Sequence, residues 1–78
     1  MSLVQQRFHT LLSTKLGISE SEFTASTTLE DLEFDSLALI ELSVALQKEF
    51  GVVLDETEMT IESTVGEIGG KLDELVAA

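Results

Sequence analysis

Two apolar stripes at helical spacing, each closed by a glycine, constrain this chain more than any other feature of its sequence. From Leu3 to Leu16, the residues Val4, Phe8, Leu11, Leu12 and Lys15 fall on one side, at the i, i+3, i+4 interval of an amphipathic helix. Ser2 and Gln5 have the spacing of a capping box at its start, and Lys15 and Gly17 stand where helices end. Ile18, just past the glycine, is expected to fold back onto Leu12. The second stripe, Leu39, Leu42, Leu46 and Phe50, predicts a helix over Ser36–Phe50 that stops at Gly51. Lys48 suits the dipole of its last turn, and Val52 is positioned to return to Leu46. The 78 residues include no cysteine, so there is no disulfide and no thiolate metal site, and helix packing has to supply the stability.

Two further elements are shorter or weaker. Asp55-Glu-Thr-Glu58 predicts a third, short helix, and Thr64-Val-Gly-Glu67 opens a fourth; both match the reciprocal capping pattern. The fourth presents Val65, Ile68, Leu72, Leu75 and Val76 as one stripe. Between Gly17 and Asp35 no helical stripe is found, and the stretch is too long for a plain connection. Phe23, Leu29 and Leu32 are its expected anchors to the core, with one helical turn over Ser19 to Glu22. The chain has no proline and no internal repeat, and apolar alternation never persists long enough for a sheet. The expected fold is all-α: a small four-helix bundle of three longer helices and one short one, with a long loop between helices one and two. One domain covers residues 1–78, and the length suggests a discrete chain.

Fifteen acidic residues face four basic ones, for a net charge of −11, which repels phosphate backbones and excludes nucleic acid as a partner. Partners should be basic. With 44% hydrophobic residues the chain is not a disordered acidic tail. The runs LALI and VVL are too short to span a bilayer, and the start MSLVQQRFH lacks a signal-peptide pattern. A monomeric, membrane-free, cytoplasmic protein is expected.

Helix two has a second apolar side. Leu37, Ile40 and Val44 lie roughly opposite the core stripe and share that side with Glu41 and Lys48. Scattered surface aliphatics are common; as a group beside Ser36 these read as a face for docking a basic, partly apolar partner. Ser36 itself could be an ordinary helix starter. Yet Asp35 can cap this helix alone, which leaves Ser36 free. Nucleophilic catalysis by Ser36 would need a base and an oxyanion site. The single histidine, His9, is off the stripe of helix one and reads as a solvated surface residue, and no G-x-S-x-G turn occurs. Asp31, Glu33 and Asp35 have the alternate spacing of a calcium loop. The turn glycine is replaced by Ser36, later ligand positions are hydrophobic and Glu41 comes one place early, so no metal site is expected.

D-S-L opening an amphipathic helix after a long loop, in an acidic chain of this length, resembles the acyl carrier proteins. The resemblance runs the length of the chain: LGIS at 16 to 19, LEDLEFDSLALIEL at 29 to 42, LQKEFGV at 46 to 52, and the TVGEI start of the last helix. It implies a carrier, not an enzyme, with 4'-phosphopantetheine attached covalently to Ser36 by a separate phosphopantetheinyl transferase, flanked by Asp35 and Leu37. It further implies docking of acyltransferase, ketosynthase or related synthase enzymes through Leu37 and through acidic residues at Asp35, Glu41, Glu49 and Asp55 or Glu56, with Ile40 and Val44 in the adjoining apolar face. Departures are equally visible. Ala38 stands where fatty-acid synthase carriers usually show an acidic residue, and Gln47-Lys48 interrupts an often acidic run, which favours polyketide or related secondary metabolism. Peptidyl or aminoacyl carriage, fatty-acid synthesis, and an acidic helical interaction module without a cofactor are the alternatives. Gly69-Gly70 costs the last helix about 1 kcal/mol per glycine relative to alanine; it either leaves that helix frayed or makes room for an acyl chain.

Overall fold

Both predicted glycine stops fall where the sequence places them. The computed structural model describes residues 2–55 and 57–77. It contains α1 (Leu3–Leu16), α2 (Ser36–Phe50) and α3 (Val65–Ala77), with single 3-10 turns at Glu20–Glu22 and Glu30–Leu32 inside the long loop. Gly17 and Gly51 sit at φ 69° and 67°, in the left-handed region where a side chain is strained. The Ile18 amide returns to the Leu12 carbonyl at 3.0 Å, and the Gly51 amide to Gln47 at 2.9 Å. Ile18 and Val52 are both buried just beyond these stops.

The capping residues work, but mostly in one direction. Ser2 Oγ accepts from the Gln5 amide at 3.0 Å, and Thr64 Oγ1 accepts from the Glu67 amide at 3.0 Å. The Gln5 side chain does not turn back to Ser2. It donates to Asp73 Oδ2 at 2.7 Å and ties α1 to α3. A reciprocal box occurs inside the loop, where Thr28 N donates to Asp31 Oδ2 at 3.2 Å and Asp31 N to Thr28 Oγ1 at 3.0 Å. It stabilises the second 3-10 turn; the first falls within the expected turn over Ser19 to Glu22, with Ser19 as its cap.

The short third helix is replaced by a turn. Among the described residues, the amides of Glu58 and Met59 reach the Asp55 carbonyl at 3.1 and 3.0 Å, and no helix follows. The expected helix over residues 55–58 has no apolar side chain of its own, and the single buried residue after it, Met59, does not make a stripe that would extend the turn. The last helix also buries less than its pattern suggests. Val65, Ile68 and Leu72 are buried, whereas Leu75 and Val76 are exposed.

The core joins Phe8, Leu11 and Leu12 of α1, Leu42 and Leu46 of α2, and Val65, Ile68 and Leu72 of α3. Phe23 and Leu29 enter it from the loop and Leu32 packs at its margin, as predicted; Phe34 is a further anchor. Sheet structure among the described residues is confined to one isolated bridge between Thr28 and Thr64. That bridge belongs to a short zipper. Leu29 N donates to Ser63 O at 3.0 Å and Glu30 N to Ile61 O at 2.7 Å. In return Val65 N donates to Thr27 O at 2.9 Å and Gly66 N to Ala25 O at 2.8 Å. The loop carbonyls thereby satisfy the first two free amides of α3, while Thr64 supplies acceptors for the next two.

This contact needs Gly66, because a Cβ there would lie 2.8 Å from the Ala25 carbonyl oxygen and 3.1 Å from Ala25 Cβ. At Gly70 a Cβ would meet nothing within 4 Å. Gly66→Ala should therefore destabilise the fold by about 1–3 kcal/mol through overpacking. Gly70→Ala should stabilise it by about 0.5–1 kcal/mol through helix propensity. Urea denaturation of the two variants tests the opposite signs.

The Asp55 turn has a pH signature. Asp55 Oδ1 accepts from the Thr57 hydroxyl at 2.6 Å, the Thr57 amide at 2.9 Å and the Glu58 amide at 3.2 Å. These bonds, the Thr57 hydroxyl foremost, hold the carboxyl below its ordinary value, with a smaller contribution from the Lys71 charge. A depressed folded pKa adds stability that is present above the unfolded value and is lost as pH falls through the folded one. Asp55→Asn should thus be less stable than the parent at neutral pH, with the gap closing below about pH 4 in thermal melts.

Candidate functional site

The start of α2 is placed by the segment before it. Glu33 adopts φ 64°, an uncommon left-handed conformation for a non-glycine residue. That reversal lets the Phe34 amide reach the Leu29 carbonyl at 3.0 Å and sends the Phe34 ring into the core. The chain then leaves the core at Asp35 in an extended conformation, and Asp35 Oδ1 accepts from the Ala38 amide at 2.8 Å. Asp35 is the cap, as the sequence suggested. Ser36 is the first helical residue and is exposed. Among the described residues no partner engages its hydroxyl, and no acceptor meets the Ser36 or Leu37 amide.

These features fit a phosphodiester on the serine oxygen. Two unused amides point along the positive end of the helix dipole, where an anion is favoured. The neighbouring Asp35 charge opposes it, but that carboxylate is already bonded to the Ala38 amide. The exposed hydroxyl leaves a transferring enzyme room to approach.

Beyond Ser36, α2 has two sides. Leu42 and Leu46 are fully buried, with Leu39 and Phe50 packed at the edge of the core. Leu37, Ile40 and Val44 are 62%, 61% and 45% exposed, and Glu41 and Lys48 are exposed beside them. A groove of about 490 Å³ runs between this side and Lys15 at the end of α1, with Ile40, Val44 and Ala45 in its wall.

Two other acidic candidates also make contacts within the domain. Glu49 receives Arg7 Nη2 on its carbonyl at 3.0 Å and on its carboxylate at 3.5 Å, while the guanidinium lies 4.7 Å from the centre of the Phe50 ring. The Asp55 carboxylate holds its own turn. Glu56 lies outside the described residues. Of the alternating carboxylates before the helix, Asp31 and Asp35 are occupied as caps. Among the described residues no cluster of three or more His, Asp or Glu could hold a metal ion.

Two expectations change. His9 is only partly exposed and packs edge-on against Phe23, with ring centres 5.1 Å apart. Of the two readings of Gly69-Gly70, room for an acyl chain is narrowed on the α1 side, since a Cβ at Gly69 would lie 3.2 Å from Gln5 Cγ and 3.9 Å from Phe8. An open groove of about 730 Å³ lies alongside, bordered by His9, Phe23 and Ala25. The sequence reading missed the roles of Glu33, Phe34 and Gly66. Only the Thr28-Asp31 spacing, a capping box three residues before Phe34 is reached, carried a readable signal for this turn.

A family model described as a phosphopantetheine attachment site matches residues 6–72. An acyl carrier protein of Thermotoga maritima is 42% identical over 59 residues, which cover 74% of this chain and 73% of that protein. The family match spans the loop, the exposed serine, all of α2 and most of α1 and α3. The chain belongs to the phosphopantetheine-binding acyl carrier protein family, whose members carry acyl groups and do not themselves catalyse their chemistry.

Proposed function

We propose that Ser36 is the attachment point of 4'-phosphopantetheine and that the chain, as one carrier domain over residues 1–78, ferries thioester-bound intermediates between the enzymes of a polyketide or related secondary pathway. The observation that carries the site is the division of labour at the helix start: Asp35 caps, so the Ser36 hydroxyl is free and exposed. The arm supplies a terminal thiol, which this cysteine-free chain lacks. The protein holds the phosphate end beside unused backbone amides and presents Leu37, Ile40, Glu41 and Val44 next to it for the phosphopantetheinyl transferase, acyltransferase and ketosynthase.

Support for a pathway other than primary fatty-acid synthesis comes from the charge pattern. Ala38 and Gln47-Lys48 stand where fatty-acid synthase carriers are often acidic, which leaves Glu41 and the Arg7-paired Glu49 as the acidic residues of α2. The domain is taken to act as a monomer. No helix among the described residues is long and apolar enough to cross a membrane.

Incubation with a broad-specificity phosphopantetheinyl transferase and coenzyme A should raise the mass of the protein by one phosphopantetheine, and Ser36→Ala should abolish the gain. A gain that persists in the variant would move the site elsewhere, and no gain in the parent would sink the carrier reading. Glu41→Lys should lower kcat/KM of that transfer by about three- to tenfold, the range of one interfacial charge contact. Its circular dichroism should be unchanged, because the side chain is exposed.

A further inference from the structure

We infer, on the carrier reading above, that Glu33 is a positioning residue for Ser36: its strained backbone closes the turn that fixes where the attachment point stands. Among the described residues three have positive φ, namely Gly17, Gly51 and Glu33. The two glycines stop α1 and α2, where a residue without Cβ takes the left-handed conformation at little steric cost. Glu33 takes the same conformation, at φ 64° and ψ 30°, with a full side chain and only three residues before the serine. That side chain is exposed and joins no ion pair among the described residues, so no charge contact within the domain offsets the strain.

What offsets it lies on either side. The Glu33 amide donates to the Glu30 carbonyl at 2.9 Å and the Phe34 amide to the Leu29 carbonyl at 3.0 Å. These are the paired returns of the helix-stop turn whose left-handed position is most often glycine. Its apolar closure is present too, because Leu29 and Phe34, at the two ends of the longer bond, both belong to the buried core. Leu29 is held in turn through its amide, which donates to the Ser63 carbonyl at 3.0 Å. Glu33 thus joins a fixed point of the core to Phe34, and only Asp35 separates Phe34 from Ser36. When residue 33 leaves the left-handed region both returns break together. Phe34 then loses its place, and Asp35 is carried away from the Ala38 amide that it caps at 2.8 Å. While the turn is closed, the narrow left-handed well of an L-residue permits little drift. Backbone strain beside a reacting group points to a role in its function. Here that role is to hold the Ser36 hydroxyl where a transferase meets it.

Variants at residue 33 and a matched strain elsewhere test this. Glu33→Val puts a β-branched side chain into the left-handed turn, and Gly51→Val does the same about 22 Å down α2, where a Cβ meets nothing within 4 Å. Each should lower the melting temperature by about 4–8 °C, the effect of one unfavourable backbone position in a domain this small. At a temperature where melts show every variant folded, Glu33→Val should lower kcat/KM of phosphopantetheine transfer by about five- to tenfold, through the smaller fraction of molecules with the serine in place. Gly51→Val should stay within about twofold of the parent, and so should Glu33→Gly, Glu33→Asn and Glu33→Gln, which keep the left-handed turn. Glu33→Thr replaces the valine variant where that melts below the assay temperature. In NMR spectra the amides of Phe34 to Ala38 should shift in Glu33→Val and not in Gly51→Val. A parental rate in folded Glu33→Val, an equal loss in Gly51→Val, or unmoved Phe34 to Ala38 amides would overturn the inference. So would a loss in Glu33→Gln as large as in Glu33→Val, because the carboxylate and not the turn would then be what the transferase needs. Absence of any mass gain in the parent would count against the carrier reading instead, and the amide shifts would still report on the placement of Ser36.

Discussion

The zipper between the long loop and the approach to α3 is the constraint on which the rest depends. Without the loop, the first two amides of α3 would have no partners, and the loop alone has no stripe to bury. Joined, the Thr27 and Ala25 carbonyls take the Val65 and Gly66 amides, and the Ser63 and Ile61 carbonyls take those of Leu29 and Glu30. The loop thus becomes part of the fold's hydrogen-bonded framework, and Leu29 is held at full burial. From Leu29 the chain has only the turn through Glu33 and the buried Phe34 before it reaches Asp35. The position of Ser36 is set by that path.

A carrier domain has to be rigid around its attachment point and still leave that point open. Here the two demands are met on opposite sides of one helix. Leu42 and Leu46 are fully buried, and truncating such a side chain to alanine costs about 2–5 kcal/mol, a large share of what a domain this small has in reserve. Leu37, Ile40 and Val44 are largely outside the core and contribute little to that reserve. Three aliphatics grouped beside Ser36 on an acidic domain accord with a contact role. Arg7 links the far end of the same helix to α1 through Glu49 and Phe50.

Much of this was legible from local pattern. The stops at Gly17 and Gly51, the caps at Ser2, Asp35 and Thr64, and the two-sided character of α2 all follow from side-chain spacing along a helix. Readings that depended on one residue having a single partner were less secure. Gln5 was placed in a capping box and instead bonds Asp73 on another helix. Glu49, a docking candidate, also bonds Arg7, forty-two positions away in sequence. Asp55 opened a turn, not a helix, and Leu75 and Val76 continued a stripe beyond the point where the core reaches.

By itself the sequence determined where helices begin and end, which side of each is apolar, and that Asp35 leaves Ser36 unneeded as a cap, because these depend on backbone geometry within a few residues. Only the tertiary structure decided how the loop is ordered, why Gly66 has no side chain, which acidic groups also bond within the domain, and that Lys15 and Lys48 border the α2 groove together with Glu41 and Glu49. Those outcomes depend on which atoms meet from distant parts of the chain, and neither helical period nor capping pattern encodes that.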